Sequence, residues 1–268
     1  MTLKEWLDRI EAGESVPQIL EISGNFWHPL GILPPPSPEV IENKEQTRQE
    51  QETLETMLPA SFRKEYKKIL GPLSKESEDG LNTLLREIEG DQNFTEPAEI
   101  AYVLATVWHE TWQAKRNIRF QPCIEYYGGS KQDEYFEERY GCDTKKGKEL
   151  GNTEKGDGAR YRGRGYVMIT GKDNYRRISK RMGDGDFLIS PNCSSYAAVN
   201  PYAYKILSIG MREGLFTGKK LSDYREKGGG YDFVKARAIV NGRDKAEVIA
   251  GHARQIYSIL VKRESEAA

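Results

Sequence analysis

No apolar run in this 268-residue chain reaches the roughly 18 residues that a bilayer span needs, so a membrane-spanning helix is excluded. The opening residues, Met-Thr-Leu-Lys-Glu-Trp-Leu-Asp, carry acidic side chains and no continuous apolar stretch, and no secretory signal is expected there. Cysteine is scarce. Cys123, Cys142 and Cys193 are odd in number and form no C-x-x-C pair, which argues against a disulfide framework. Histidine is scarcer in effect, because His28, His109 and His252 are scattered, and Gln113 stands where a zinc-protease helix beginning His109-Glu110 would need its second His. Neither a catalytic metal nor another cofactor is expected.

Charge is plentiful but unevenly placed. Residues 1 to 90 carry 10 basic and 17 acidic side chains, whereas residues 91 to 268 carry 30 and 24. A near-neutral total of −1 therefore hides an acidic first part and a basic second part, and the basic part is the better candidate to meet an anionic polymer.

Apolar spacing and punctuation suggest four regions. Leu3, Trp6, Leu7 and Ile10 recur at helical spacing, giving an N-terminal helical segment over 1–28. Pro29, Pro34, Pro35, Pro36 and Pro38 then make 29–42 a stiff, proline-rich linker. Residues 43–90 offer polar helical stretches broken at Pro59 and at Gly71-Pro72, and read as a helical accessory region. Residues 91–268 are richer in aromatics and glycine and read as the cleft-bearing domain. Within it, Pro97 opens a helix carrying Ile100, Val103, Leu104, Val107 and Trp108 and ending near Trp112. The glycine-dense stretch 117–165 reads as loops with short strands at most. Further helices are expected after Asn200-Pro201, from Asp232 to Val240, and from Asp244 to about Lys262. The fold class is mainly α.

Glu110 stands out on spacing alone. It lies seven residues after Val103 and three after Val107, on the side the helix buries. Desolvating a carboxyl group favours its protonated form, the state a general acid needs. The competing reading is a helix-end Glu that faces solvent or pairs with an Arg. Cleaving a glycosidic bond also requires a second carboxylate across the substrate, and the following loop supplies Glu125, Asp133, Glu134, Glu137 and Glu138. Glu125 adjoins Tyr126-Tyr127-Gly128-Gly129, a setting suited to a sugar-facing loop. The cluster from Asp133 to Glu138 reads as a solvated helix turn.

The run from Gly151 to Tyr175 contains Arg162-Gly163-Arg164-Gly165 and Asn174-Tyr175 in order, with Trp108-His109-Glu110-Thr111 upstream and Ile239-Val240-Asn241-Gly242 downstream. These motifs closely resemble glycoside hydrolase family 19, the chitinase and phage lysozyme-like group, over about residues 95 to 260. The resemblance implies an α+β, lysozyme-like bilobal domain with a substrate cleft, hydrolysing β-1,4-linked N-acetylated aminosugars with inversion. It implies Glu110 as general acid and Glu125 as general base, with Glu137 in reserve. Thr170, Asn174, Tyr175 and Asn241 are then the expected substrate contacts, and His109 and Arg164 the supporting residues. Met168 departs from the family, which usually has Gln two residues before this Thr; a thioether cannot hydrogen-bond as an amide does. Trp112-Gln113 likewise replaces frequent glycines.

The expected partner is a polysaccharide, peptidoglycan or chitin. The run from Leu150 to Gly158 is more similar to bacterial and phage cell-wall lysins than to secreted chitinases, so an endolysin or tail-associated enzyme, made in the cytoplasm and acting at the cell wall, is the expectation. Residues 1–90 are then free to bind a protein partner. Two other classes compete. One is a catalytically impaired structural subunit of a phage-like particle. The other is nucleic-acid binding through Tyr161-Arg162-Gly163-Arg164-Gly165-Tyr166, for which the basic excess of the second part is small.

Overall fold

A computed structural model describes residues 60–267, and the chain divides into two units, Met1–Lys67 and Lys68–Ala268. The segment expected over 1–28, the linker over 29–42 and the stretch up to residue 59 lie outside the described residues. Helix α1 (Ala60–Leu70) contains the division between the units.

Helix α2 (Lys75–Gly90) begins at Ser74, whose hydroxyl oxygen accepts the Ser77 amide at 3.3 Å, and Glu76 and Glu78 in its first turn complement the helix dipole. Polar as it reads, it buries a stripe of Leu81, Leu84, Leu85 and Ile88. The Ser77 hydroxyl accepts the Arg119 amide at 2.9 Å, and Gly80 lies so close to the Phe120 carbonyl that a Cβ would stand 2.6 Å from its oxygen. Helix α2, from the second half of the expected accessory region 43–90, thus packs with residues of the second unit.

The centre of that unit is α3 (Pro97–Glu110), begun by Pro97 in its first turn. Ala101, Tyr102, Val103, Leu104, Ala105 and Val107 are all fully buried, so the helix is enclosed on most sides. Helix α9 (Ala246–Ala267) packs along it through Ile249, Ala250, Ala253 and Ile256, whose spacing of three and four makes one stripe. Alanines on both helices let the axes approach. The end of α3 is tied down by Thr111, whose hydroxyl donates to the Val107 carbonyl and accepts the Phe120 amide, each at 2.7 Å.

The stretch 117–165 holds the short strands expected of it, a two-stranded antiparallel sheet of β1 (Cys123–Ile124) with β2 (Arg164–Gly165), in register Cys123 to Gly165 and Ile124 to Arg164, but it departs from the loop expectation in its helices. It also contains α4 (Gln132–Tyr140), α5 (Lys145–Glu149) and α6 (Asp157–Arg160). These helices are too short to stand alone and are held by tertiary contacts. Phe136, Tyr140 and Ala159 form a small core between α4 and α6. Its glycines mark close approach: a Cβ on Gly158 would stand 2.6 Å from the Phe136 oxygen, and Cβ atoms on Gly141 and Gly147 would strike the carbonyl oxygens of Glu137 and Gly141.

A buried polar clamp joins this region to α7 (Lys172–Arg181). Asp157 is fully buried, and its Oδ2 accepts the amides of Thr153 (2.9 Å) and Glu154 (3.0 Å) and the Lys172 ammonium (3.0 Å). Burial opposes its ionisation, yet these donors outweigh burial and hold the carboxyl below the usual Asp range. Asn152 completes the clamp, donating to the Tyr140 carbonyl at 2.7 Å and accepting the Lys172 amide at 2.9 Å.

Beyond α7, 3₁₀ turns at Phe187–Ile189 and Ser194–Ala198 lead to α8 (Tyr202–Glu213), stopped by left-handed Gly214. The helix expected from Asp232 to Val240 is a 3₁₀ turn, Lys235–Ile239, which points Ala236, Arg237 and Ile239 inward. The described residues are mainly helical, as expected, and none of their helices is long and apolar enough to cross a membrane.

Candidate active site

Glu110 is the last residue of α3, where the helix reaches the edge of the core. Its Oε1 accepts from Arg237 Nη1 at 2.5 Å, and the side chains are 18% and 3% exposed respectively. The carboxylate is thus half-buried and also paired, so the two sequence readings of Glu110 are combined. Arg237 donates a second bond, from Nε to the Asp244 carbonyl at 2.9 Å, which fixes the guanidinium between the helix end and the 241–245 loop. His109 beside it is held below the usual histidine range, chiefly by burial, with Arg237 and Arg119 adding to the effect against Glu110 and Asp244.

Glu125 continues strand β1. Its amide donates to the Gly163 carbonyl at 2.7 Å, and the Gly163 amide returns a bond to Glu125 Oε2 at 3.1 Å. The other oxygen accepts from the Tyr140 hydroxyl at 3.0 Å. That phenol is pushed up to about 12 by burial and by the Glu125 charge, so it stays a donor across the neutral range. Two partners orient the carboxylate while the residue remains partly exposed.

Residues two apart on a strand face the same side, which puts Cys123 and Glu125 together, and the Cys123 thiol is pushed up to about 12 by burial and, next, by the charge of Glu110. Its sulfur lies 3.6 Å from the Met168 sulfur. Met168 in turn neighbours Glu125: a Cβ on Gly163 would stand 3.0 Å from Met168 Cε and 3.1 Å from Glu125 Oε2. Glycine at 163 is what lets both side chains sit over the strand. Met168 itself has φ of 54°, a left-handed backbone uncommon outside glycine.

The other sequence candidates separate into two groups. Thr170 is partly exposed, its hydroxyl donating to the Met168 carbonyl at 2.8 Å, and its lone pairs remain able to accept. Asn241 is exposed, its side-chain oxygen accepting the Gly242 amide at 2.8 Å. Asn174, expected at the sugar, has both amide ends engaged internally, donating to the Thr170 carbonyl at 2.6 Å and accepting from Arg177 at 2.7 Å. Tyr175 corrects the expectation outright: it is fully buried, donating to the Arg162 carbonyl at 2.9 Å and accepting from Arg164 at 3.1 Å, so it cannot touch a sugar. Arg164, 1% exposed, braces the same loop through the carbonyls of Arg160 (2.6 Å) and Arg162 (3.3 Å).

Glu137 is equally committed, since its two oxygens accept the Gly156 and Ala159 amides at 3.0 and 2.9 Å at the start of α6. It is a helix cap, not the solvated residue its charged surroundings suggested. Arg237, Cys123 and Tyr140 are the site residues the sequence reading missed. The need for a buried countercharge to Glu110 was the one available signal, but many arginines could have met it.

Chemically, these residues offer two partly exposed carboxylates of different environment, Glu110 held by a guanidinium and Glu125 by a phenol and an amide, with the Thr170 hydroxyl and the Asn241 amide as neutral groups. No protein-family model matches the chain. A crystal structure of a glutamate-to-glutamine mutant of chitinase C is similar to it over 73% of this chain and 90% of that one, at 17% identity and a TM-score of 0.37.

Proposed function

We propose that the protein is a glycoside hydrolase that cleaves β-1,4 bonds between N-acetylated aminosugars of peptidoglycan, with inversion, as an endolysin or a tail-associated lytic enzyme acting at the bacterial cell wall. The observation that carries this reading is a pair of oriented carboxylates on different elements, Glu110 at the end of α3 held by Arg237 and Glu125 beside β1 held by Tyr140 and Gly163.

Glu110 is the general acid. It gives its proton to the glycosidic oxygen as the bond to the anomeric carbon breaks, and Arg237 stabilises the carboxylate left behind. Glu125 is the general base. It takes a proton from a water that attacks the opposite face of the anomeric carbon, and the Tyr140 and Gly163 donors keep its oxygens oriented. Direct displacement by water inverts the anomeric configuration. Thr170 and Asn241 suit an uncharged sugar, being neutral and accessible to solvent.

The test is mass spectrometry of soluble fragments released from purified peptidoglycan by wild type, Glu110→Gln and Glu125→Gln, with NMR of the first-formed anomer. Wild type is expected to release fragments of inverted configuration, and each variant to lose about 10²- to 10⁴-fold in rate. Fragment release that survives Glu110→Gln undiminished rejects the acid role.

A further inference from the structure

Beside the candidate site lies a cleft of about 880 Å³ that none of the chemistry above uses. Its floor is apolar, formed by Val234 just before the 3₁₀ turn, Ala238 within it and Val248 of α9, the last 49% exposed. Its rim is basic. Lys235 is paired with Asp232 at 2.7 Å, but Arg243 and Lys245 stand exposed with no ion pair among the described residues, and Glu247 is the single acid among the described residues that line the cleft. The cleft is tied to the candidate acid through one side chain: Arg237 holds Glu110 with Nη1 and, with Nε, the carbonyl of Asp244, the residue between Arg243 and Lys245. Gly242, next to the exposed Asn241, also lines it. A polymer lying across Glu110 and Asn241 therefore has its substituents within reach of this cleft.

We propose that this cleft binds the peptide stem carried by the glycan, a short chain of small apolar side chains and free carboxylates, and so makes the enzyme prefer peptide-bearing peptidoglycan to an unsubstituted aminosugar polymer. The inference rests on the glycosidase reading above and assigns its substrate class. Small apolar side chains match the Val234, Ala238 and Val248 floor, and carboxylates match the unpaired cations of the rim. A neutral polymer gains nothing from either cation. At about 0.15 M salt the screening length is about 8 Å, so the attraction acts on groups in or next to the cleft and weakens with added salt.

The experiment uses the full chain and the double variant Arg243→Gln/Lys245→Gln, on peptidoglycan with its stems, on the same glycan stripped of peptides by an amidase, and on neutral N-acetylglucosamine oligomers. Both positions are exposed, so the fold is expected to survive, and the charge-retaining pair Arg243→Lys/Lys245→Arg is the control. The expected result is about a tenfold fall in kcat/KM on the peptide-bearing glycan, restored in the control pair, with less than about a twofold change on the other two substrates. Equal loss on all substrates, or no loss on the peptide-bearing one, overturns the proposal. Should wild type cleave none of them, the glycosidase reading fails, and calorimetric binding of a soluble disaccharide-peptide still decides the cleft: about tenfold weaker binding by the double variant supports it, and unchanged binding overturns it. Tighter binding of a single-stranded oligonucleotide than of the disaccharide-peptide, lost in the same variant, also overturns it in favour of a phosphate-backbone ligand.

Discussion

Replacing Arg237 by Gln removes the guanidinium that joins the end of α3 to the 241–245 loop. The side chain is 3% exposed and Glu110 18%, so the pair lies largely out of water. Taking one partner from a fully buried pair costs about 3 to 5 kcal/mol; because the Glu110 carboxylate keeps some solvent, about 2 to 3 kcal/mol is expected here. A unit of this size shifts by about 2 to 4 °C per kcal/mol, so the expected fall in Tm is about 4 to 12 °C. The assay is thermal unfolding of Arg237→Gln, Glu110→Gln and the double variant at pH 7. Either single change leaves a group without its partner, and the double change leaves neither charge, so the double variant should be more stable than the sum of the singles predicts by about 1 to 3 kcal/mol. A Tm for Arg237→Gln within about 1 °C of wild type refutes the argument. Strict additivity of the singles would refute the coupling on which the acid's positioning depends.

The Asp157 clamp predicts acid lability. Its folded carboxyl is held low, so its contribution is fully present above the ordinary Asp range of about 3.9 and is lost as pH falls through the lowered value. Asp157→Asn should therefore lower Tm at neutral pH and flatten the decline of Tm below about pH 4, and an unchanged acid profile would count against the clamp. Gly163→Ala places a Cβ 3.0 to 3.1 Å from Met168 Cε and Glu125 Oε2, and should lower kcat well beyond its effect on Tm as the base is displaced; activity that tracks Tm alone would contradict this. Leu104→Ala, at a fully buried position of α3, should cost about 2 to 5 kcal/mol in denaturant unfolding, and a cost below about 1 kcal/mol would show that the α3–α9 packing is looser than described.

The sequence made α3 legible because two signals agree there: proline at its start and apolar residues at helical spacing. It concealed α4, α5 and α6 because their glycines were read as breakers, whereas Gly141, Gly147 and Gly158 admit neighbouring backbone. Spacing cannot distinguish a glycine needed for freedom from one needed for room. Charge runs misled in the same way: Glu137 sits among acids that suggested solvent, yet the Gly156 and Ala159 amides take its oxygens.

Tyr175 and Asn174 show the limit of reading a motif as a set of contacts. Both stand in the expected order, and one is buried under Arg162 and Arg164 while the other holds Thr170 and Arg177. They shape the wall of the site from behind. Order along the chain records that a residue matters to the local fold, but it does not record which way the side chain turns.

What the sequence by itself determined is the helical class of the described residues and the placement of Glu110 at a helix end, because both follow from periodicity and capping within a single turn or two of chain. Only the tertiary structure decided which charge meets Glu110, which donors hold Glu125 and Glu137, and that Cys123 lies against Met168. Those relations join residues separated by 127 positions for Glu110 and Arg237, and by 45 for Cys123 and Met168, and local propensity carries no term for contacts made across such distances.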